Sequence, residues 1–288
     1  MKLFYKKRLF DGHRQIYCCG IKIFSYYKEL SLPDYSFDVM KFKGLMSCKN
    51  IKNLVLGSSH GRDGFVPGAD DYNLSNSSLD LYRIWKLYEY VANNTKHDIK
   101  NVIIFWSVFH TGLQLEKTRE FQRCASYKRL YNIEYASPYP TDDTKALKKV
   151  DELMHTVVCP ENFRGQSLYN INHNTNTQQL VAKHLKNTNR QNDQIQHMKS
   201  IIKLARQQKH NVFIVLPPYR SDYLSFLPDD KKTYSELLKL LRYNRDVKLI
   251  NLQRDTDFTD SDFESADHCN YDGGIKLTRK IKQFINKK

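Results

Sequence analysis

Between residues 51 and 288 the chain alternates short apolar runs with longer stretches whose apolar residues recur at helical spacing. Asn53-Leu54-Val55-Leu56 is one such run, ending at Gly57, as a buried strand does. Asp71–Leu74, Val102–Trp106, Asn211–Leu216 and Val247–Leu252 repeat it, the fourth of the five stopped by Pro217-Pro218. Helical spacing appears in Leu79, Ile84, Leu87 and Val91, in Thr144–His155, in a long polar stretch near Gln178–Gln208, in Lys231–Leu241 and in a closing basic segment, Lys276–Ile285. Strands alternating with helices imply right-handed crossovers. The prediction is an α/β chain, a flavodoxin-like three-layer αβα sandwich on a five-stranded, mainly parallel sheet.

Two segments fall outside this alternation. Ile16–Cys19 and Ile21–Phe24 flank Gly20 and predict a hairpin, in a stretch where Lys2, Lys6, Lys7, Arg8, Arg14, Lys22 and Lys28 face one acid, Asp11. Residues 1–50 are therefore expected to form a basic N-terminal hairpin or extension, and 51–288 the α/β domain. Such a hairpin could rest on anionic lipid, or simply be an edge with solvated lysines. Pro160–Asn192 is rich in Asn, Gln and Thr with little apolar period, and predicts a polar insertion around 160–192.

Charge narrows the partners. Lys and Arg exceed Asp and Glu by 46 − 31 = 15, so the partner is expected to be negative: nucleic acid, an anionic membrane surface or an acidic polysaccharide. No zinc-finger spacing or RNA-binding aromatic signature accompanies that charge, and nucleic acid is not expected. The six cysteines form no CxxC pair. Met1–Phe10 is too basic for a secretory leader, and Val102–Phe109 is too short to cross a bilayer. A cytoplasmic protein with reduced thiols is expected, peripheral at most to the inner face of the membrane. His155, His173 and His184 show no metal spacing, and no metal is expected.

In an open α/β sheet, ligands bind beyond the carboxyl ends of the strands. Polar groups gather there from all five runs: Gly57-Ser58-Ser59-His60-Gly61, Ser75-Asn76-Ser77, Ser107 with His110 and Thr111, Pro217-Pro218-Tyr219-Arg220, and Asp267-His268-Cys269-Asn270. A serine hydroxyl needs an adjacent base to become a nucleophile, and His268 can fold back to Ser59 whatever the chain order. Ser58 and Ser59 would also serve as helix caps, and Arg62 and Arg220 as solvated cations or as anchors for an anionic substrate.

These residues resemble the SGNH, or GDSL-like, hydrolases and O-acyltransferases, most of all the branch associated with bacterial polysaccharide and teichoic-acid modification. Four stretches carry the resemblance, over roughly Ile51–Ile285: Gly57-Ser58-Ser59, Tyr72-Asn73-Leu74-Ser75, Val215–Arg220 and Asp267–Gly274. It implies Ser59 as nucleophile and His268 as base. The family's Asp three residues before the histidine is Ser265 here, which leaves Asp267, Asp262 or Glu264 to orient the imidazole, with Asp267 taken first, or leaves the site without the acid. Gly57, Ser58, Asn76 and Ser107 stand nearest the family's oxyanion positions, and Arg220 is the candidate substrate contact. The implied function is O-acetylation of a capsular or other surface polysaccharide through an acyl-Ser59 intermediate. Acetyl-CoA would be the donor substrate, an anionic glycan or its lipid-linked precursor the acceptor, and no cofactor would be bound. A carbohydrate esterase and a non-catalytic glycan-binding protein are the alternatives. The N-terminal segment resembles preambles of bacterial capsule and lipopolysaccharide assembly enzymes, which leaves a glycosyltransferase as a third.

Overall fold

The computed structural model describes residues 3–8, 13–28, 31–167, 176–188 and 194–287, which fall into two compact units. One comprises 1–39 and 114–157, the other 40–113 and 158–288.

The larger unit holds the parallel sheet. Its strands are β4 (Asn53–Gly57), β5 (Asp71–Asn73), β6 (Asn101–Phe105), β7 (Asn211–Leu216) and β8 (Lys248–Asn251), in the order β5-β4-β6-β7-β8, every neighbouring pair parallel. All five expected strands are present, and this order is the doubly wound flavodoxin-like one. The central strands are buried on both faces, which is why they read as continuous apolar runs. On one face Val55, Ile103, Phe105, Phe213, Val215 and Ile250 pack with Phe65, Leu277 and Ile281. Those last three come from the segment of α2 (Ser59–Gly64) and from α11 (Tyr271–Asn286). The other face is covered by α3 (Leu81–Asn94) and α7 (Gln194–Gln208), which pack on each other and on β4 and β7. The layers are therefore αβα.

The polar stretch around 160–192 lies partly outside the described residues. Within them, Asn73 N–H donates to the Arg164 carbonyl at 2.9 Å, and Gly165, at φ +79°, packs so closely on the Asn73 backbone that no side chain fits. Helix α6 (Thr177–Thr188) follows, and buries Val181 and His184 against the unit. His184 Nδ1 lies 2.7 Å from the Tyr223 hydroxyl, on α8 (Ser221–Phe226). The stretch near Gln178–Gln208, predicted as helical, thus holds both α6 and α7. The expected helix at Lys231–Leu241 is two pieces, α9 (Asp230–Thr233) and α10 (Ser235–Arg242).

In the smaller unit the N-terminal hairpin is present and gains a third strand: β1 (Phe4–Arg8), β2 (His13–Cys18) and β3 (Ile21–Tyr27), all antiparallel. Cys19 and Gly20 turn the hairpin with φ of +49° and +83°, the two left-handed residues of a type I′ turn. The unit also holds the start of α1 (Ser36–Ser47), together with α4 (Cys124–Tyr131) and α5 (Thr144–Thr156). Ser126 donates to Asp38 at 2.6 Å and Tyr35 to the Gln122 carbonyl at 2.9 Å. Helix α1 carries Gly44 and a buried Lys41 among its apolar residues, so its sequence shows no clean apolar stripe. Among the described residues no helix is long and apolar enough to cross a membrane.

Candidate active site

Strand order reverses between β4 and β6, and the chemistry of the chain collects at their carboxyl ends. Gly57 closes β4 at φ +153°, a backbone open to glycine alone. A Cβ there would meet Phe105 Cβ at 2.7 Å and its carbonyl at 2.9 Å. This close approach turns the chain sharply into α2 and sets Ser59 at the first position of that helix, half-exposed, while Ser58 before it is buried.

His268 arrives from the other end of the sequence. An isolated bridge between Phe263 and Cys269 closes a tight loop, the Glu264 N–H donates to the His268 carbonyl at 3.0 Å, and the Arg220 N–H donates to Ala266 O at 3.1 Å. The loop ends at Asn270, whose side chain caps α11 by accepting from Gly273 N at 2.9 Å. Held this way, His268 Nε2 sits 2.7 Å from Ser59 Oγ, and its Nδ1 sits 2.9 Å from Asp267 Oδ1. Ser265 Oγ donates to the same carboxylate oxygen at 3.0 Å. Of the three acids open at the sequence level, Asp267 is the one on the imidazole. Asp262 is occupied by Lys276 at 2.7 Å and by the Thr259 N–H at 2.8 Å.

The second oxygen of Asp267 faces His60, whose Nε2 is 3.2 Å away. An ionised carboxylate only accepts, so both ring nitrogens facing it carry protons. His60 Nδ1 is then the acceptor, 2.7 Å from Ser107 Oγ, which in turn lies 2.5 Å from Ser58 Oγ. The hydrogen bonds run in one sense, from Ser58 through Ser107 and His60 to Asp267, with His268 donating from the opposite side. Ser58 and Ser107 are both fully buried, so the structure places their hydroxyls in this chain behind the site. His60 was not singled out by sequence reasoning. Its signal was its place: an ionisable residue directly after Ser59, on the buried side of a short helix.

Burial opposes every charge here, and the partners decide the outcome. Burial alone would raise the Asp267 carboxyl; the His268 charge and the hydrogen bonds of His268 and His60 outweigh it and hold Asp267 well below the carboxylate range. Burial would lower His268, but the Asp267 charge and hydrogen bond raise it above its ordinary value. For His60, burial prevails over Asp267 and its pKa is lowered, so it stays neutral.

The remaining candidates lie around this centre. Asn76 N–H donates to the Gly57 carbonyl at 3.1 Å, and its Oδ1 accepts from Ser77 N at 2.9 Å, which fixes it beside the β4 turn. Buried Lys41 steadies this loop by donating to the carbonyls of Asn73 at 2.8 Å and Ser75 at 2.5 Å. Arg220 is paired with Asp222 through two contacts of 2.8 Å. Arg62 is paired with Asp63 through two contacts of 2.7 Å, and Ser167 donates to Asp63 at 2.8 Å. A small cavity of about 40 Å³ bounded by Arg62, Asp63, Ser167, Glu264, Asn270 and Tyr271 opens next to them.

His60, Asp267 and His268 also form a group whose donor atoms lie within 4.8 Å of one another and could hold a metal ion. A metal held by the ring nitrogens that face Asp267 would need lone pairs where those nitrogens now carry protons. His268 would then carry its proton on Nε2 and could only donate to Ser59. A metal so held and the service of His268 as base for Ser59 exclude each other.

No protein-family model matches the sequence, and no curated protein matches it. Among the solved structures similar to this chain are these two. One is a Bacteroides fragilis protein described as an acylhydrolase, at TM-score 0.43 and 10% identity, covering 88% of this chain and 98% of the other. The second is a Desulfitobacterium hafniense protein described as a lipolytic protein of the G-D-S-L family, at TM-score 0.38 and 11% identity, covering 81% and 99%.

Proposed function

We propose that the chain is a serine-dependent acyl-transfer enzyme in which Ser59 is the nucleophile, His268 the general base and Asp267 the acid that orients it. The observation that carries this reading is the contact of 2.7 Å between Ser59 Oγ and His268 Nε2, with Asp267 on the far nitrogen of the same ring at 2.9 Å. His268 takes the Ser59 proton as Oγ attacks an ester or thioester carbonyl. The imidazolium formed is stabilised by ionised Asp267. The Ser59 N–H, in the first turn of α2, has no acceptor within its own helix and is available to the developing oxyanion; Asn76, held on the Gly57 carbonyl, is the second candidate donor. His268 then gives that proton to the leaving group as the acyl-Ser59 ester forms, takes a proton from the acceptor hydroxyl as it attacks that ester, and returns it to Ser59 Oγ as the acyl group departs.

The acceptor we propose is a hydroxyl of an anionic bacterial surface polysaccharide or its lipid-linked precursor, with acetyl-CoA as donor. The excess of 15 positive charges supports an anionic polymer, and the resemblance of the motifs around Ser59 and His268 supports acyl transfer. The test is acetyl transfer from acetyl-CoA to a panel of capsular polysaccharides by wild type, Ser59→Ala and His268→Ala. Transfer abolished by both substitutions supports the reading. Acetate release from acetylated glycan, with no transfer from acetyl-CoA, replaces it with an esterase. A folded protein whose Ser59 reacts with no fluorophosphonate probe and which transfers nothing is a binder.

A further inference from the structure

The N-terminal sheet exposes apolar side chains that a three-stranded sheet would be expected to bury. They gather at one end. Phe4 pairs with Cys18 and Cys18 with Ile21, and the Cys19 N–H donates to the Leu3 carbonyl at 2.8 Å. Leu3, Phe4 and Ile21 are therefore neighbours at the Cys19-Gly20 turn, and Ile23 and Phe24 follow along β3, all five with between 56% and 70% of their surface in water. Single exposed apolar residues are ordinary, but five on one small sheet mark a surface that meets something apolar.

Cations stand beside this tip and along the sheet behind it. Lys22 is exposed next to the turn, and Lys28 is exposed just past the opposite end of β3. Lys6 donates to the Tyr26 hydroxyl and stands 4.9 Å over its ring. The Lys6 hydrogen bond, aided by the charges of Lys6, Arg14 and Lys28, outweighs desolvation and holds the Tyr26 phenol below its ordinary value, which reports a positive field over that face.

Each candidate occupant must satisfy both features. An acidic glycan or a nucleic acid would satisfy the cations but offers no apolar phase for Ile21, Ile23 and Leu3. A second copy of this chain would cover the apolar tip, yet would bring the same lysines against it. A bilayer with anionic headgroups meets both: acyl chains take the tip while the headgroups pair with Lys22 beside it and with the cations along the sheet behind it.

We propose that the turn end of the N-terminal sheet is a membrane-docking tip, inserting Leu3, Phe4, Ile21 and Ile23 into the interface of an anionic bilayer. The proposal is independent of the chemistry at Ser59.

The experiment is co-sedimentation of the full chain with vesicles of phosphatidylcholine alone or mixed with phosphatidylglycerol. Wild type is compared with Ile21→Ser/Ile23→Ser and Lys22→Glu/Lys28→Glu, with circular dichroism and thermal midpoint as controls for folding. Binding is expected to the anionic vesicles and to weaken with salt. Each isoleucine replaced should weaken it about tenfold and each charge reversed by about fivefold or more. The proposal is overturned if wild type does not sediment with anionic vesicles, or if a folded Ile21→Ser/Ile23→Ser protein binds them as wild type does. It is also overturned if those substitutions instead abolish a concentration-dependent dimer, which would give the tip to a second copy.

Discussion

His60 and His268 lie nearly face to face, ring centroids 4.8 Å apart and planes inclined by 27°, and each donates to a different oxygen of Asp267. One carboxylate therefore serves two imidazoles in different states. His268 is the partly solvent-reached ring whose affinity for a proton is raised, and His60 is the sealed one whose affinity is lowered. In the proposed mechanism His60 acts through Asp267 as a positioning residue.

Removing the His60 donor tests that role. In His60→Leu the second Asp267 oxygen loses its partner, and the carboxylate becomes the stronger base toward His268. The acid limb of the kcat/KM profile should move to higher pH, with activity reduced on the order of 10-fold to 100-fold, the worth of one hydrogen bond to a charge. His60→Gln, whose Nε2 also donates, should restore the limb. An acid limb unmoved in a folded His60→Leu protein would make His60 a packing residue only.

Asp267→Asn keeps the shape of the site but lets the side-chain amide donate to His268 Nδ1. That stabilises the tautomer with its proton on Nε2, where it cannot accept from Ser59. A loss on the order of 10³ to 10⁴ in kcat on a chromogenic acetate ester is expected. A loss of less than tenfold would remove Asp267 from the triad. In the wild type, activity should fall as His268 becomes protonated, with the midpoint above the ordinary value of 6.5 because Asp267 raises it.

Acid should also weaken the fold itself. Burial pushes His110 and His184 down to about 3, from an ordinary value of 6.5. Between those values the unfolded chain holds protons that the folded chain does not, so stability is complete above 6.5 and falls as pH drops toward 3. Each histidine should contribute about 1.4 kcal/mol per pH unit to the slope. Raised His268 has the opposite sign: its stabilisation is full below 6.5 and is lost as pH rises through its folded value. Urea midpoints from pH 7 to pH 4 measure the sum, and His184→Gln, which cannot titrate, should flatten the slope. An unchanged slope would reject His184 as a contributor.

Gly57→Ala should cost about 1–3 kcal/mol, because its Cβ would press on Phe105 across β6 and its φ of +153° disfavours any side chain. The β4 turn would have to shift to relieve the clash, so labelling of Ser59 by a fluorophosphonate should slow together with the fall in thermal midpoint. Labelling at the wild-type rate in the destabilised protein would show that the turn does not set the nucleophile.

Much of the fold was legible because its signals are local. A strand buried on both faces must be apolar throughout, so Leu54–Leu56, Ile103–Phe105 and Val212–Leu216 announced themselves, and the polar residues after each marked the edge where chemistry collects. Helix α1 was less legible because the surface it buries is interrupted: Lys41 and Gly44 break its apolar stripe. The strand Phe4–Arg8 was missed because Lys6, Lys7 and Arg8 give it no apolar alternation.

The sequence by itself determined the strand runs, the surplus of positive charge and the pair of residues, Ser59 and His268, on which the site is built. Only the tertiary structure decided that these two meet across 209 positions, that Asp267 rather than Asp262 or Glu264 holds the imidazole, and that His60, Ser107 and Ser58 stand behind it. Residue type and spacing fix what a side chain can do and which face of an element it occupies. Which side chains converge depends on the path of the loops, and here the bridge from Phe263 to Cys269 turns Asp267 back onto its own neighbour.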